Sequence, residues 1–301
     1  MTPKDASQVV RVANRIDTTS LQTARTFRAL LERGPAEGTE RLVAVVDGAI
    51  VAWAPSGIHD DGSGWLWIGV DAAHRRRGIG TALFDRIESR LGARHLRTSA
   101  GDVEGRAFLE HRGFGRTNVS SVLALDLERA ELPAPAIDTL PVSAVDIDAI
   151  RLLYREGHDD VPSESARAPF TDERFRREVV EAELIDREVS SVVVENGEAV
   201  AFTLVLANHE DGRAETQMTA VRRDRRGRGL AYAVKVASLR RARDAGLRTM
   251  LTANDLGNAP MLAVNRKLGF TASVVVEDYE RRTGTTTSPD SASPTTRTSA
   301  R

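Results

Sequence analysis

The chain has 301 residues, 42 Lys and Arg against 43 Asp and Glu for a formal net charge of −1, and no Cys. That length predicts about two domains; the missing cysteines exclude disulfides, thiolate metal sites and a cysteine nucleophile, and the balanced charge gives no global pull toward nucleic acid or anionic membrane. No apolar run approaches the roughly 18 residues of a membrane span, Met1 to Ser7 lacks the layout of a signal peptide, and the six His show no metal-ligand spacing, so a cytoplasmic protein with no metal and no membrane partner is expected.

In chain order, Ser7 to Arg33 reads as one or two helices broken near Asp17-Thr18-Thr19-Ser20, where capping side chains cluster. Strands Arg41 to Val46 and Ala49 to Ala54 flank the hairpin signal Asp47-Gly48. Gly64 to Val70 is the next strand, with Trp65 and Trp67 on one face by its period of two. A helix Gly78 to Leu91, a strand His95 to Ser99, a helix Val103 to His111 and a strand Val119 to Leu127 follow. Leu132-Pro133-Ala134-Pro135 marks a seam, which divides the chain into units 1–130 and 142–282 joined by a linker 131–141. The second unit repeats the order: helices Ser143 to His158 and Thr171 to Ala182, a hairpin at Asn196-Gly197, a strand Ala214 to Val221 and a helix Leu230 to Ala245. A strand Leu247 to Thr252, a helix Pro260 to Lys267 and a strand Ala272 to Glu277 close it. Residues 283–301 are Thr, Ser and Pro with little to bury, so disorder is expected there.

The repeat is explicit in one segment. Val70-Asp71-Ala72-Ala73-His74-Arg75-Arg76-Arg77-Gly78-Ile79-Gly80 returns 151 residues later as Val221-Arg222-Arg223-Asp224-Arg225-Arg226-Gly227-Arg228-Gly229-Leu230-Ala231. Leu96-Arg97-Thr98 is matched at the same spacing by Leu247-Arg248-Thr249, and Arg112-Gly113-Phe114 returns as Leu268-Gly269-Phe270. Each copy of the first segment ends a strand, turns through Arg and Gly, and opens a helix. Unpaired amides at a helix N-terminus, with its partial positive charge, stabilise an oxyanion, and glycine lets the anion approach. Arginines add charges suited to phosphate.

These residues resemble a tandem pair of GNAT acyltransferases. The hallmark of that family, Arg or Gln, two residues, Gly, one residue, then Gly or Ala after a strand with a hydrophobic end, stands here as Arg75-x-x-Gly78-x-Gly80 after Val70 and as Arg226-x-x-Gly229-x-Ala231 after Val221. A second signature, a helix ending in Leu-Gly-Phe, matches Asn258 to Phe270, and the first half offers the looser Phe108 to Phe114. The resemblance implies an α/β fold of two tandem domains, each with a central mixed, mostly antiparallel sheet flanked by helices. It implies acetyl-CoA or another acyl-CoA as cosubstrate, with pyrophosphate on Val70, Arg75, Arg76, Arg77, Gly78, Ile79 and Gly80, or on Val221, Arg226, Gly227, Arg228, Gly229, Leu230 and Ala231. It further implies a V-shaped opening between the strand ending at Val221 and Leu247 to Thr252, with Asn254 and Asn258 beside the pantetheine arm.

In many relatives a Glu eleven residues ahead of the turn's first Arg is the base; here that count lands on Glu215 in the second half and on Gly64 in the first. Glu215 is equally an edge carboxylate after Glu210-Asp211-Gly212. By the period of two, Glu215, Gln217, Thr219 and Val221 share a face. The usual acid, a Tyr five residues before the closing Phe, is Asn265 in one half and Leu109 in the other; an amide orients or stabilises but supplies no proton. The first half also opens directly on helix, without the family's usual opening strand, so either Met1 is not the true start or this half is degenerate. His158, Asp159 and Asp160 fall in a loop expected to shape an acceptor pocket. The leading expectation is therefore transfer of an acetyl group to a small-molecule amine by the second half, beside a degenerate first half. An acyl-CoA sensor that transfers nothing is the alternative, and nucleic-acid binding through Arg222, Arg223, Arg225, Arg226 and Arg228 is disfavoured by the acidic balance elsewhere.

Overall fold

A computed structural model describes residues 2–282 apart from 18, 20, 33, 35–37, 60 and 161–169. The tail 283–301 lies outside the described residues. In chain order the first half contains α1 (Ala6–Ile16), α2 (Ala24–Glu32), β1 (Glu40–Val46), β2 (Ala49–Ile58), β3 (Gly64–Leu66) and β4 (Gly69–Val70). It continues with α3 (Ile79–Leu91), β5 (His95–Ala100), α4 (Val103–Glu110) and β6 (Gly115–Asp126). The second half contains a short β7 (Leu140–Pro141), α5 (Arg151–Asp160), α6 (Asp172–Phe175), β8 (Ser191–Glu195), β9 (Glu198–Asn208) and β10 (Arg213–Val221). Then come α7 (Leu230–Asp244), β11 (Thr249–Asp255), α8 (Ala259–Lys267) and β12 (Thr271–Arg282).

Among the described residues twelve strands make one mixed sheet in the order β1-β2-β3-β5-β12-β6-β11-β10-β9-β8-β7, with β4 beside β2. Only β3 with β5 and β10 with β11 run parallel. The closing strands are exchanged: β12 lies between β5 and β6, while β6 pairs with β11. Each half's sheet is therefore completed by the other's last strand. Helices cover both faces because the strands alternate: Ala52 and Ala54 of β2 face α3, whereas Trp53 faces α1 and α2. Likewise Phe202 and Leu204 of β9 pack with α5 and α6, and Val205 and Ala207 with α7.

The helix expected over Ser143 to His158 is shorter, since 3-10 turns Val142–Ala144 and Ile147–Ile150 precede α5. Asp146 causes one of these breaks, its carboxylate accepting the Asp148 N–H at 3.0 Å. His158, Asp159 and Asp160 belong to the last turn of α5 rather than to a loop. The strand expected over Gly64 to Val70 is interrupted at Trp67 and Ile68.

The registers also correct the repeat. Gly64 pairs with Ile58 and Ala214 with Ala207, partners equally far from the Asp47-Gly48 and Asn196-Gly197 turns. Across the parallel pairs Gly64 faces Leu96 and Ala214 faces Met250. Leu96 thus matches Met250, and Leu247-Arg248-Thr249 is not the counterpart of Leu96-Arg97-Thr98. A bulge between Thr216 and Met218, absent from the first half's pairing, moves the counterpart of Glu215 from Gly64 to Trp65. Neither residue offers a carboxylate.

Candidate functional site

The two Arg-Gly turns share a geometry. Gly78 begins α3 at φ +81° and Gly229 begins α7 at φ +77°, in the left-handed region that glycine enters without steric cost. A Cβ added at either would meet nothing within 4 Å, so the first amides of both helices open onto free space. At the preceding bend the second half uses Gly227 at φ +77°, where the first half forces Arg76 to φ +60°. Arg75 Nε donates to the Val70 carbonyl at 3.1 Å and Arg226 Nε to the Val221 carbonyl at 3.1 Å. These two arginines brace the turn against its own strand, a role that counting charges does not reveal. Ala231 stands where Gly80 does in the first copy, and a Cβ on Gly80 would make only ordinary contacts at 3.8 Å.

The remaining cations divide into occupied and free. Arg75 reaches Asp102 at 3.0 Å and Glu104 at 2.9 Å. Arg223 bonds Asp160 at 2.6 Å, and Arg226 bonds the same carboxylate, which is held down at a pKa of about 2 chiefly by Arg223. Arg222 pairs with Glu198 at 2.8 Å and Arg225 with Glu195 at 2.8 Å. A nucleic acid would have to break these pairs. Arg76, Arg77 and Arg228 have no protein partner among the described residues and remain for an anion.

Behind each turn the parallel strands separate. β10 and β11 stay paired from Arg213 and Thr249 to Thr216 and Thr252; beyond that β10 follows β9 and β11 follows β6. This is the V-shaped opening, shifted along β11 by the register correction. The first half has the same parting behind Trp65 and Arg97. There it opens as a cleft of about 1050 Å³ between Leu66 to Val70, Thr98 to Asp102 and the Gly78 turn. Val274 and Val276 of the exchanged β12 line that cleft, so the second half supplies part of the first half's wall.

On the second half's parting strands polar groups converge. Glu215 is mostly buried and, among the described residues, receives no hydrogen bond; burial, followed by the nearby charge of Asp17, raises its pKa to about 7. Asp17 comes from the loop after α1, pinned by the Thr19 N–H and hydroxyl at 2.9 and 2.5 Å. The same loop is tied to β9 by Asn208 Nδ2 donating to the Gln22 carbonyl at 3.3 Å. Gln217 shares the face of Glu215, its amide donating to the Tyr154 hydroxyl on α5 at 3.1 Å. Beyond the bulge the alternation slips: Ala220 packs with α5 and Val221 with α7. The expectation of one polar face running from Glu215 to Val221 therefore fails at the extra residue.

On the opposite face, Asn265 of α8 is fully buried, its Nδ2 donating to Asn254 Oδ1 at 2.5 Å while its own Oδ1 has no partner among the described residues. Asn258 is the N-cap of α8 and accepts the Met261 N–H at 3.3 Å. Lys235 of α7, 1% exposed, donates to the Thr216 hydroxyl at 3.2 Å. Sequence reading missed Lys235 and Asp17. Lys235 was visible as one of only three lysines, set where the first copy has Phe84; Asp17 acts across halves and left no local sign.

Because Asp17 opposes ionisation of Glu215, Asp17→Asn is expected to lower the Glu215 pKa by some tenths of a unit to about one unit. A carboxylate titration by NMR in the two proteins measures this, and an unmoved Glu215 would remove Asp17 from the site.

Comparison with known proteins agrees with this geometry. The model of the acetyltransferase (GNAT) family matches twice, over residues 11–114 and 151–270. A mycothiol acetyltransferase of Amycolatopsis mediterranei (strain U-32) is 28% identical over 263 residues, 82% of this chain and 86% of that one. Another, from Saccharomonospora viridis, is 32% identical over 218 residues, 67% and 69% of the two chains. Among solved structures, a tandem GNAT protein from the clavulanic acid biosynthesis pathway superposes with a TM-score of 0.71 at 20% identity, covering 94% of this chain and 97% of that one. A GCN5-related N-acetyltransferase from Sphaerobacter thermophilus gives 0.69 at 19%, covering 94% of each chain. Twin Arg-Gly turns, twin partings of parallel strands and two separate family matches have one explanation: the chain belongs to the acetyltransferase (GNAT) family, as a tandem N-acetyltransferase.

Proposed function

We propose that the protein transfers the acetyl group of acetyl-CoA to a primary amine of a small molecule, and that the second of its two units, 142–282, performs the transfer. The observation that carries this reading is Glu215, a mostly buried carboxylate with its pKa raised to about 7, on the strand that ends in the Arg226-to-Ala231 turn. A base needs a pKa near working pH, and burial supplies it. The pyrophosphate would lie on the Gly227 to Ala231 amides with Arg228, and pantetheine in the opening beyond Thr216 and Thr252. Asn254 would hold the arm and Asn265, bonded to it, would orient the thioester. Glu215 and Asp17 give the other face negative charge, which suits an acceptor that arrives as an ammonium ion.

The unit 1–130 has an open cleft of about 1050 Å³ but Trp65 and Leu109 in place of Glu215 and Asn265. This favours a second reading for that unit alone: it holds acyl-CoA and transfers nothing. The mycothiol acetyltransferases among the relatives make a mycothiol-related amine the first acceptor to try. The test is release of CoA from acetyl-CoA over that amine, amino acids, amino sugars, aminoglycosides, polyamines and peptide N-termini. Amine-dependent release supports the enzyme; stoichiometric CoA binding without release by any amine leaves a sensor.

A further inference from the structure

The two halves serve as controls for each other. At the helix that follows the anion turn, Phe84 and Lys235 occupy the same place: Phe84 meets Phe114 edge-on with centroids 6.0 Å apart, and Lys235 Nζ lies 5.4 Å from the centroid of Phe270, the counterpart of Phe114. One half thus fills this core position with hydrocarbon and the other with an amine that is 1% exposed. Burying an ammonium is costly, and the first half shows that the fold does not need one. The other differences fall beside it. Thr216, which accepts from Lys235, has Leu66 as its counterpart by register, and Asn265 has Leu109. Thr216 and Thr252 are the last residues paired before β10 and β11 part. The polar replacements are therefore gathered under the mouth of the opening.

We propose that Lys235, acting through the Thr216 hydroxyl, supplies the proton taken up by the CoA sulfur as it leaves the second half, the role that Asn265 cannot fill. This rests on the reading of that half as the transferring one. The amine nitrogen bonds to the acyl carbon while the carbon–sulfur bond breaks, and sulfur leaves with the electron pair. The Thr216 hydroxyl proton passes to sulfur as an ammonium proton of Lys235 passes to the Thr216 oxygen. The surplus proton of the amine goes to Glu215, and exchange with water restores carboxylate and ammonium. Burial alone lowers the Lys235 pKa, to about 7; no carboxylate or cation on β8, β9, β10, β11 or α8 contributes to the shift. An acid of that strength is well matched to a thiolate.

The experiment follows the thiol of bound CoA by its thiolate absorbance in the intact protein as pH is raised. Around pH 7, where Lys235 still carries part of its ammonium, the thiolate fraction of one bound thiol in the wild type stands roughly tenfold above that of free CoA, because a neighbouring ammonium favours the anion. That component disappears in Lys235→Met and in Thr216→Val, and also in Gly229→Glu, which assigns it to the second half. With acetyl-CoA and the fastest amine of the screen, Lys235→Met lowers kcat about 10²-fold, and the high-pH fall of its profile is lost. Lys235→Met removes a buried charge and melts no lower than the wild type; Thr216→Val reports independently should it fail to fold. A thiol titration and high-pH limb unchanged in both variants would overturn the proposal, as would a wild type with no perturbed thiol. Loss of the thiol component together with full activity of Glu215→Gln would keep Lys235 and discard Glu215.

Discussion

Glu215→Gln is expected to lower turnover by roughly 10²-fold or more while leaving acetyl-CoA affinity nearly intact. The amide keeps the shape of the side chain and removes the only proton acceptor on that face of β10 that the burial of the site has tuned. With its pKa raised to about 7 by burial and then by Asp17, Glu215 is ionised above that pH, so the acid limb of wild-type turnover rises toward pH 7, where the Lys235 limb begins to fall, and the Gln variant lacks the rise. The same shift has a stability consequence of definite sign. The unfolded carboxyl ionises near 4.3, so between that pH and about 7 the folded state holds the extra proton and stability falls as pH rises. Above pH 7 the cost of the buried charge is fully present. Glu215→Gln should therefore melt above the wild type at pH 8 and show no such gain at pH 4. A variant with wild-type turnover across the pH range, or with no pH-dependent gain in melting temperature, would remove Glu215 from the role of a buried base.

The turn, the strand that feeds it and the helix that leaves it were legible because their demands are local. Gly78 and Gly229 are required by backbone conformation, and such requirements leave the same letters in both copies. Glu215 was legible as a spacing from Arg226, but its environment was not, since Asp17 comes from about two hundred residues earlier in the chain. The exchange of β6 and β12 was also hidden. Both strands carry the pattern of a closing strand, and pairing within a half or across halves satisfies that pattern equally. The bulge after Thr216 escaped for a related reason: one extra residue in a strand changes faces without changing composition, so a period of two drawn from Glu215 to Val221 crosses it unnoticed. Lys235 was the signal most exposed to view. Aligning the halves sets it against Phe84, and a charge facing a phenylalanine in one repeat of a shared core marks a position released from packing duty.

The largest expected asymmetry lies between two equivalent glycines. Gly229→Glu places a carboxylate over the amides that open α7, in space where a Cβ meets nothing, so it should abolish acyl-CoA binding in the second half and with it transfer. Gly78→Glu makes the same change over α3 and should remove at most one CoA equivalent, that of the cleft lined by Val274 and Val276, while most of the transfer persists. The backbone strain is matched, since both residues sit near φ +80°, and Arg76 at φ +60° shows that this turn carries a non-glycine residue in the left-handed region. The exchanged strands are the reason the comparison needs melting curves beside rates. A first half loosened by Gly78→Glu would release β12, and β12 pairs with β6, which borders β11 of the second half's opening. Loss of transfer accompanied by a lowered melting temperature would therefore report on the sheet rather than on the turn. In well-folded proteins, calorimetric stoichiometry and steady-state rates decide the matter. Transfer lost in Gly78→Glu and kept in Gly229→Glu would reverse the assignment of the transferring half, and would leave Glu215, Lys235 and Asn265 as a buried polar set without a reaction to serve.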